Sequence, residues 1–339
     1  MSYRYLLYGL NVESEIEIEE AYSKDFEGKA DVEVVAGAMP SEVIDIFCEK
    51  EPDEACSAIS GSALAIRIPG VGDYLVKRDR ITVSALDSAT KEKVKCFLLG
   101  SAFGYCMFLR KQVLLHGGAV ARVDAECTGY AADGRDVSGG NAGIIITGVS
   151  GAGKSTVLDA LMEREYKFIA DDVCAVTVHD GIPHINMAYP QKKLCRDAAL
   201  KHGYDLSELI YIGEDRDKFA VRLSEGFLPE GADFKYLFEL VVDDDQTEGA
   251  EKVLGKESYA GCADDKTTQI TVREITGHKK LKVVLRNIYR GEDDFKLWGI
   301  SPEYMQECLK IASAVRIYRI VRPREIDTLK AVLKAIEEI

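Results

Sequence analysis

The first hundred residues contain short segments in which apolar and polar positions alternate. These segments are residues 3–10, 63–68 and 73–76, and glycine, proline and acidic residues separate them. Because successive side chains of a strand point to opposite faces, alternation of this kind predicts strands with one buried face. The pattern therefore predicts a small β-rich N-terminal domain over residues 1–87.

The pattern changes at residue 88. Residues 88–110 begin with charged positions and become apolar at helical spacing, which predicts a helix. Strands are predicted at residues 113–120, 144–147, 166–170, 173–178, 182–187, 235–242 and 314–321, and helices at 156–162, from 302 onward and at 324–339. This alternation predicts an α/β catalytic domain over residues 88–339. The polar stretches 124–141 and 243–251 are predicted loops, and either could cover a bound substrate.

One apolar strand runs directly into the sequence G-V-S-G-A-G-K-S-T, residues 148–156. Gly148, Gly153, Lys154 and Ser155 have the spacing of a phosphate-binding P-loop, in the strand–turn–helix context that the motif requires. Backbone N–H groups would surround phosphate oxygens, with Lys154 at the β and γ phosphates and the Ser155 hydroxyl on Mg²⁺. The motif therefore predicts binding of ATP with Mg²⁺. The predicted nucleotide-binding residues are Gly148, Ser150, Gly151, Ala152, Gly153, Lys154, Ser155 and Thr156.

Two adjacent carboxylates follow the next predicted strand. Asp171 and Asp172 come directly after the apolar segment 166–170. In a parallel sheet the carboxyl ends of the strands meet at one edge, so both carboxylates are expected to face the glycine-rich motif. One is predicted to complete the Mg²⁺ shell with Ser155, and the other to accept the proton of an attacking hydroxyl group. The sequence does not decide which carboxylate has which role.

His116 is a further catalytic candidate. It ends an apolar run and precedes Gly117-Gly118, where the backbone can approach a ligand closely. A lone histidine is more often structural, so the residue pattern alone leaves its role open.

The composition limits the partners of the chain. Its 339 residues include 43 Lys and Arg against 57 Asp and Glu, and the resulting net charge of −14 argues against a nucleic-acid partner. Nine cysteines without a C-x-x-C pair are typical of free thiols in a reducing compartment. Neither a signal peptide nor a membrane-spanning segment is expected, so the prediction is a cytoplasmic protein.

The order of these motifs along the chain resembles that of a known family. The segments L-L-H-G-G-A-V, G-I-I-I-T-G-V-S-G-A-G-K-S-T and F-I-A-D-D-V look like the catalytic domain of the HPr serine kinase/phosphorylase family, including its HPr-kinase-like branch. The resemblance implies an α/β P-loop kinase core of the HPr kinase/phosphoenolpyruvate carboxykinase type. It also implies a metal held by Ser155 and one aspartate, with His116 assisting the second aspartate. Some members of that branch phosphorylate serine in peptides.

Basic residues are needed to neutralise the phosphoryl group during transfer. The candidates by their order in the chain are Lys192, Lys193, Arg216 and Lys218. A second basic group near the C-terminus consists of Arg319, Arg322 and Arg324. For an isolated basic residue, a solvated surface ion pair is the more usual explanation.

Together these features predict a Mg-ATP-dependent kinase that transfers the γ-phosphoryl group to an alcohol, foremost a serine hydroxyl of a protein or peptide. Two alternatives stay open. One is a kinase for a small-molecule hydroxyl such as that of free serine or a polyol, and the other is a nucleotide-dependent binding module without efficient transfer. A homo-oligomer is also left open.

Overall fold

The computed structural model describes residues 2–48, 56–60, 62–123, 128–130, 136–138, 141–201, 203–212, 217–243, 257–259, 270–291, 299–324 and 327–339. The chain forms two compact units. Unit 1 consists of Met1–Leu114 and Met187–Ser224, and unit 2 consists of Leu115–Asn186 and Glu225–Ile339.

The strands in chain order are β1 Tyr3–Leu7, β2 Leu10–Ser14, β3 Tyr22–Ser23, β4 Val32–Ala36, β5 Cys56–Ser60, β6 Ala63–Ile68, β7 Gly72–Val76, β8 Arg80–Ala85, β9 Val113–Arg122, β10 Thr128–Tyr130, β11 Asp136–Ser138, β12 Ala142–Gly148, β13 Lys167–Ala170, β14 Val173–His179, β15 Ile182–Asn186, β16 Gln191–Cys195, β17 Ile210–Tyr211, β18 Lys218–Arg222, β19 Ala232–Asp243, β20 Glu257–Tyr259, β21 Ile270–Ile275 and β22 Arg316–Pro323. The helices are α1 Ser41–Cys48, α2 Lys91–Phe97, α3 Phe103–Leu109, α4 Lys154–Met162, α5 Arg196–Lys201, α6 Lys279–Arg286, α7 Pro302–Ala314 and α8 Leu329–Glu337, and the π-helical segment Leu98–Ala102 joins α2 to α3.

Unit 1 contains an eight-stranded sheet in the order β3-β1-β2-β4-β8-β7-β6-β5 and a three-stranded sheet in the order β16-β18-β17. The predicted strands at 63–68 and 73–76 are confirmed as β6 and β7. The predicted strand at 3–10 is instead a hairpin, because Tyr8 and Gly9 adopt left-handed φ angles of 54° and 77° and turn β1 into β2. The predicted helix at 88–110 is confirmed, but its middle segment, Leu98–Ala102, is π-helical. All five residues of its π-helical segment are buried, and the apolar spacing gives no sign of this segment.

Unit 2 is built on a nine-stranded sheet in the order β12-β9-β14-β15-β19-β22-β21-β20, with β13 paired to β9 and β12 also paired to β19. β12 is parallel to β19, and β19 is parallel to β22, whereas β9 is antiparallel to β12. The sheet is therefore mixed, where the sequence analysis had assumed a parallel one. Helix α4 packs against one face, on which a Cβ atom at Gly118 would collide with Leu158.

Several local predictions in unit 2 are confirmed. The β14–β15 hairpin turns at Asp180-Gly181, with φ angles of 51° and 81°. Helix α7 starts at Pro302, and the Ser301 hydroxyl caps it by accepting the Tyr304 N–H at 3.3 Å. The final helix is shorter than predicted, because it begins only at Leu329.

The two predicted loops are only partly described. Within residues 124–141, β10 and β11 form an antiparallel pair. The rest of that stretch up to residue 140, and residues 244–251, lie outside the described residues. Among the residues that are described, no helix has both the length and the apolar character to cross a membrane.

Candidate functional site

The glycine-rich turn, residues 148–153, joins β12 to α4 as the sequence predicts. Gly148, Gly151 and Gly153 have φ angles of 138°, 83° and 98°, which favour glycine over any other residue. At Gly148 a Cβ atom would also collide with the Leu240 carbonyl oxygen of the neighbouring strand β19. Close approach and backbone conformation therefore both require glycine at the start of the turn.

Replacement of Gly148 by alanine is expected to lower the free energy of unfolding by about 3 kcal/mol or more, because backbone strain and overpacking add. Gly151→Ala is the matched control. Gly151 also has a left-handed φ, but a Cβ atom there would meet nothing within 4 Å, so we expect a cost of only about 1–2 kcal/mol. Urea denaturation of both variants without nucleotide measures the difference. Equal losses in the two variants would contradict the close approach of β19.

The N-terminus of α4 presents positive charge to the turn. Gly153 caps this nine-residue helix in a left-handed conformation without a side-chain hydrogen bond, so the first N–H groups have no partner within the helix. The Lys154 ammonium donates to the carbonyl oxygens of Gly148 at 2.8 Å and Val149 at 3.2 Å. The lysine therefore lies across the turn. Ser155 is half-buried, and Ser150 and Thr156 are exposed.

Arg322, near the end of β22, contacts the same turn. Its Nε donates to the Ala152 carbonyl oxygen at 3.0 Å, and its Nη2 lies 3.2 Å from the position that a Cβ atom of Gly153 would take. The sequence analysis grouped Arg322 with Arg319 and Arg324. Residues three apart on a strand point to opposite faces, so Arg319 and Arg322 belong to different sites.

The two adjacent aspartates form a tight turn between β13 and β14. Asp172 has a left-handed φ of 71°, a conformation that Asp tolerates better than most residues. Its N–H donates to Oδ1 of Asp171 at 3.0 Å, and the Val173 N–H donates to the Asp171 carbonyl oxygen at 2.9 Å. These bonds fix the backbone of the turn and hold the two carboxylates in distinct environments.

His116 contacts Asp172. Its Nδ1 lies 3.6 Å from the Asp172 carboxylate oxygen Oδ1 and 3.2 Å from the Asp172 carbonyl oxygen. The imidazole is partly exposed, with 39% of the side chain accessible against 16% for Asp172. Tyr289 lies beside it, with ring centroids 6.1 Å apart. The structure thus brings together one histidine and one carboxylate that the sequence placed 56 residues apart.

Strand β9 brings the aspartate turn and the glycine-rich turn to the same edge of the sheet. Gly117 of β9 is paired with Thr147 on one side, and its N–H donates to the Asp172 carbonyl oxygen at 3.3 Å on the other. Since neighbouring strands lie about 5 Å apart, the end of β12 and the aspartate turn are on the order of 10 Å apart. The sequence predicts from a parallel sheet that the two turns lie close together. They do lie close together, but through the antiparallel pairing of β9 with β12 and with β13.

The backbone of His116 is held by a network that the sequence analysis missed. The His116 N–H donates to the Asn287 carbonyl oxygen at 2.8 Å. The Thr147 hydroxyl lies 2.7 Å from the His116 carbonyl oxygen and 2.8 Å from Oδ1 of Asn287. The Asn287 amide in turn donates to Glu239 at 3.0 Å and to the Val283 carbonyl oxygen at 2.8 Å. No local signal marks these residues, because the network joins strands and a helix far apart in sequence.

Glu239 is a buried carboxylate with only 4% of its surface exposed. Burial by itself would raise its pKa, but hydrogen bonds from Arg286 and Asn287 and the charges of Arg286 and Arg319 outweigh burial and hold the pKa below its usual value. Arg286 binds the carboxylate through two nitrogens, and Arg319 donates to it at 2.9 Å. Glu239 is therefore ionised at neutral pH.

Three of the four candidate phosphate-neutralising residues belong to unit 1. Lys193 lies on β16 and Lys218 on β18, two antiparallel strands of the same small sheet, and Lys192 is buried next to Lys193. Lys193 also lines a cavity of about 20 Å³, which has room for a single water molecule. Arg216 lies outside the described residues.

Cys174 follows the aspartate turn but is a poor nucleophile. Complete burial raises the pKa of its thiol well above the usual value, and the nearby charges of Asp171 and Asp172 raise it further. The thiol therefore stays protonated, and it donates to the Gly117 carbonyl oxygen at 3.3 Å. Its role is to pack the turn against β9.

The oxygen atoms near the glycine-rich turn suit Mg²⁺ that binds together with a nucleotide. Over the described part of the chain, no group of three or more His, Cys, Asp or Glu side chains is arranged to hold a metal ion. Mg²⁺ bound with a nucleotide needs no such cage, because it takes one or two protein oxygens together with phosphate oxygens and water. The Ser155 hydroxyl and the carboxylates of Asp171 and Asp172 are oxygen donors of this kind.

Comparison with known proteins gives a remote structural relationship. No family model and no curated protein matches the chain. Among solved structures, the HPr(Ser) kinase/phosphatase from Coxiella burnetii is similar at 11% sequence identity, over 66% of this chain and 93% of that chain, with a TM-score of 0.29. No residue assignment rests on a similarity of this size.

Proposed function

We propose that this protein is an ATP-dependent phosphotransferase that phosphorylates a hydroxyl group, foremost a serine hydroxyl of a protein or peptide. One observation carries the proposal. Asp172, a carboxylate in contact with His116, lies at the same edge of the sheet as the glycine-rich turn, which leads into Lys154 at the start of a helix without a side-chain cap. A phosphate-binding turn alone serves any nucleotide-binding protein, whereas the adjacent acid–histidine pair supplies a proton acceptor.

The nucleotide side of the proposed site is the glycine-rich turn with the first turn of α4. The Ala152 N–H donates to the Val149 carbonyl oxygen at 3.1 Å, and the other backbone N–H groups from Gly151 to Thr156 would donate to phosphate oxygens, where the helix dipole favours negative charge. Lys154 would exchange its two carbonyl contacts for phosphate oxygens, which bind an ammonium group more strongly because they are charged. Arg322 keeps the turn in place through Ala152.

The acceptor side is Asp172 with His116. The acceptor hydroxyl oxygen forms a bond to the γ phosphorus while the bond to the ADP oxygen breaks, and the hydroxyl proton passes to the Asp172 carboxylate. His116 positions that carboxylate through the contact at 3.6 Å. Mg²⁺ bound with ATP neutralises charge on the phosphates, and Ser155 and Asp171 are the residues proposed to hold it.

The test is transfer from γ-labelled ATP with Mg²⁺ to a panel of acceptors. The panel contains an HPr-like protein, serine peptides, free serine and polyols, and the unmodified chain is compared with Asp172→Asn. We expect label on one class of acceptor, and its loss in the variant. Tight ATP binding without transfer to any acceptor would instead favour a nucleotide-dependent binding module. Absence of ATP binding would refute the proposal.

A further inference from the structure

A row of polar side chains crosses the sheet of unit 2. Strand register pairs Thr147 with Glu239, Glu239 with Arg319, and Arg319 with Arg273. Residues paired in this way point to the same face of a sheet, so the four side chains lie side by side on β12, β19, β22 and β21. Arg286 reaches the same carboxylate from the end of α6. We call Arg273, Arg286 and Arg319 the arginine cluster.

Glu239 has no capacity left for further hydrogen bonds. Its Oε1 accepts from Nε of Arg286 and from the Asn287 amide, and its Oε2 accepts from Nη2 of Arg286 and from Nε of Arg319. A carboxylate has about four lone-pair sites, and all four are used here. The remaining N–H groups of the arginine cluster must therefore find acceptors elsewhere.

Those remaining donors are numerous. Among the described residues, Nη1 of Arg286 and both Nη groups of Arg319 have no acceptor, and 45% and 34% of the two side chains are exposed to solvent. Arg273 is half-buried, and within the described ranges its side chain has neither a hydrogen bond nor an ion pair. The arginine cluster therefore offers several oriented N–H donors to an anion from solution.

The charge of this group is also unbalanced. Arg286 and Arg319 bind one carboxylate, and a third guanidinium, that of Arg273, lies directly across from Arg319, an arrangement of like charges that destabilises a sheet. The side chains above and below Arg319 on the same face of β22 are Ile317 and Val321, so the strand itself supplies no compensating charge. The excess positive charge stands out in a chain with a net charge of −14. A bound anion would remove the repulsion.

We propose that the arginine cluster binds a carboxylate or phosphate group of the molecule that this protein phosphorylates. The proposal rests on the proposed function and narrows its acceptors to those that carry an anionic group beside the hydroxyl. Planar guanidinium forks match the geometry of carboxylates and phosphates, and Glu239 already holds two of the three forks in place. An uncharged polyol has no group that would use this site.

The arginine cluster lies close enough to the glycine-rich turn to bind the anionic group of an acceptor. Thr147 directly precedes the glycine-rich turn, and Arg319 lies two strands away from it in the same row. At about 5 Å per strand, the cluster is on the order of 10 Å from the end of β12. Asn287, which fixes the backbone of His116, also donates to Glu239, so one network positions both the arginine cluster and the histidine.

The test measures KM for pairs of acceptors with and without an anionic group, in the unmodified protein and in Arg273→Gln. The first pair consists of two serine peptides that differ only by Glu→Gln beside the serine, and it tests whether the bound anion belongs to a peptide. The second pair is L-serine and serinol, which lacks the carboxylate, and it tests whether the anion belongs to a free amino acid. In the unmodified protein we expect the charged member of one pair to have a KM about 10- to 100-fold lower, with little change in kcat. Arg273→Gln should abolish that preference. Because Arg273 has no partner within the described ranges, its replacement should leave the melting temperature unchanged or raise it.

Arg316→Gln is the control, since Arg316 lies on the opposite face of the same strand in an exposed ion pair with Glu274 at 3.1 Å. It should keep the preference. If no acceptor is phosphorylated, the proposed function fails, and the arginine cluster is tested by binding of the same two pairs without nucleotide. Equal KM values or equal affinities within both pairs would overturn the inference, as would a preference that Arg273→Gln leaves intact.

Discussion

Lys154→Ala is expected to reduce phosphoryl transfer by at least about 1,000-fold, because it removes the mobile positive charge that the glycine-rich turn directs at the transferred phosphate. The substitution should also weaken ATP binding. The folded state should be little affected, since Lys154 is partly exposed and its ammonium donates to the carbonyl oxygens of Gly148 and Val149 within the turn. Loss of activity in a stable protein would therefore report on the site and not on the fold.

Two measurements separate these effects. The first is the rate of transfer from labelled ATP, and the second is the rise in melting temperature when Mg-ATP is added. At 100 times the dissociation constant, a ligand stabilises its protein by about 2.7 kcal/mol, a shift that Lys154→Ala should lose. Lys310→Ala is the control, because Lys310 lies on α7 in an ion pair with Glu307 and is exposed. A Lys154→Ala variant that keeps a tenth of the activity would remove Lys154 from the proposed site.

The parts of the candidate site that depend on neighbouring residues were predictable from the sequence. The strand–turn–helix around Gly148 is one example, because glycine, the following helix and the preceding strand are all local signals. The turn at Asp180-Gly181 and the cap at Ser301-Pro302 are others. In each case one short segment contains both the signal and the structure that it specifies.

The parts that depend on strand register were not predictable. Glu239 and Arg319 lie 80 residues apart, and Thr147 and Asn287 lie 140 apart. Their contacts follow from the pairing of β12, β19 and β22, which apolar alternation does not determine. For the same reason the sequence presents the basic residues near the C-terminus as one group, whereas the alternation of side chains along β22 directs Arg319 to Glu239 and Arg322 to Ala152.

Register also gives the two aspartates different surroundings. In the sequence Asp171 and Asp172 are equivalent, since both follow the same strand. In the structure Nδ1 of His116 lies 3.6 Å from Oδ1 of Asp172, while Oδ1 of Asp171 accepts the Asp172 N–H. On the basis of these contacts we propose the proton-accepting role for Asp172 and the metal-binding role for Asp171.

Asp172→Asn is accordingly expected to lower kcat by about 100- to 10,000-fold while ATP affinity changes little, because an amide keeps the shape of the side chain but cannot accept the hydroxyl proton. Asp171→Asn is the matched variant one residue away. It should instead raise the Mg²⁺ concentration needed for half-maximal activity, with part of the rate recovered at saturating Mg²⁺. Titrating Mg²⁺ at saturating ATP in both variants separates the two roles. Recovery of Asp172→Asn by Mg²⁺, with Asp171→Asn unresponsive, would exchange the assignments, and full activity in both would place the chemistry outside the aspartate turn.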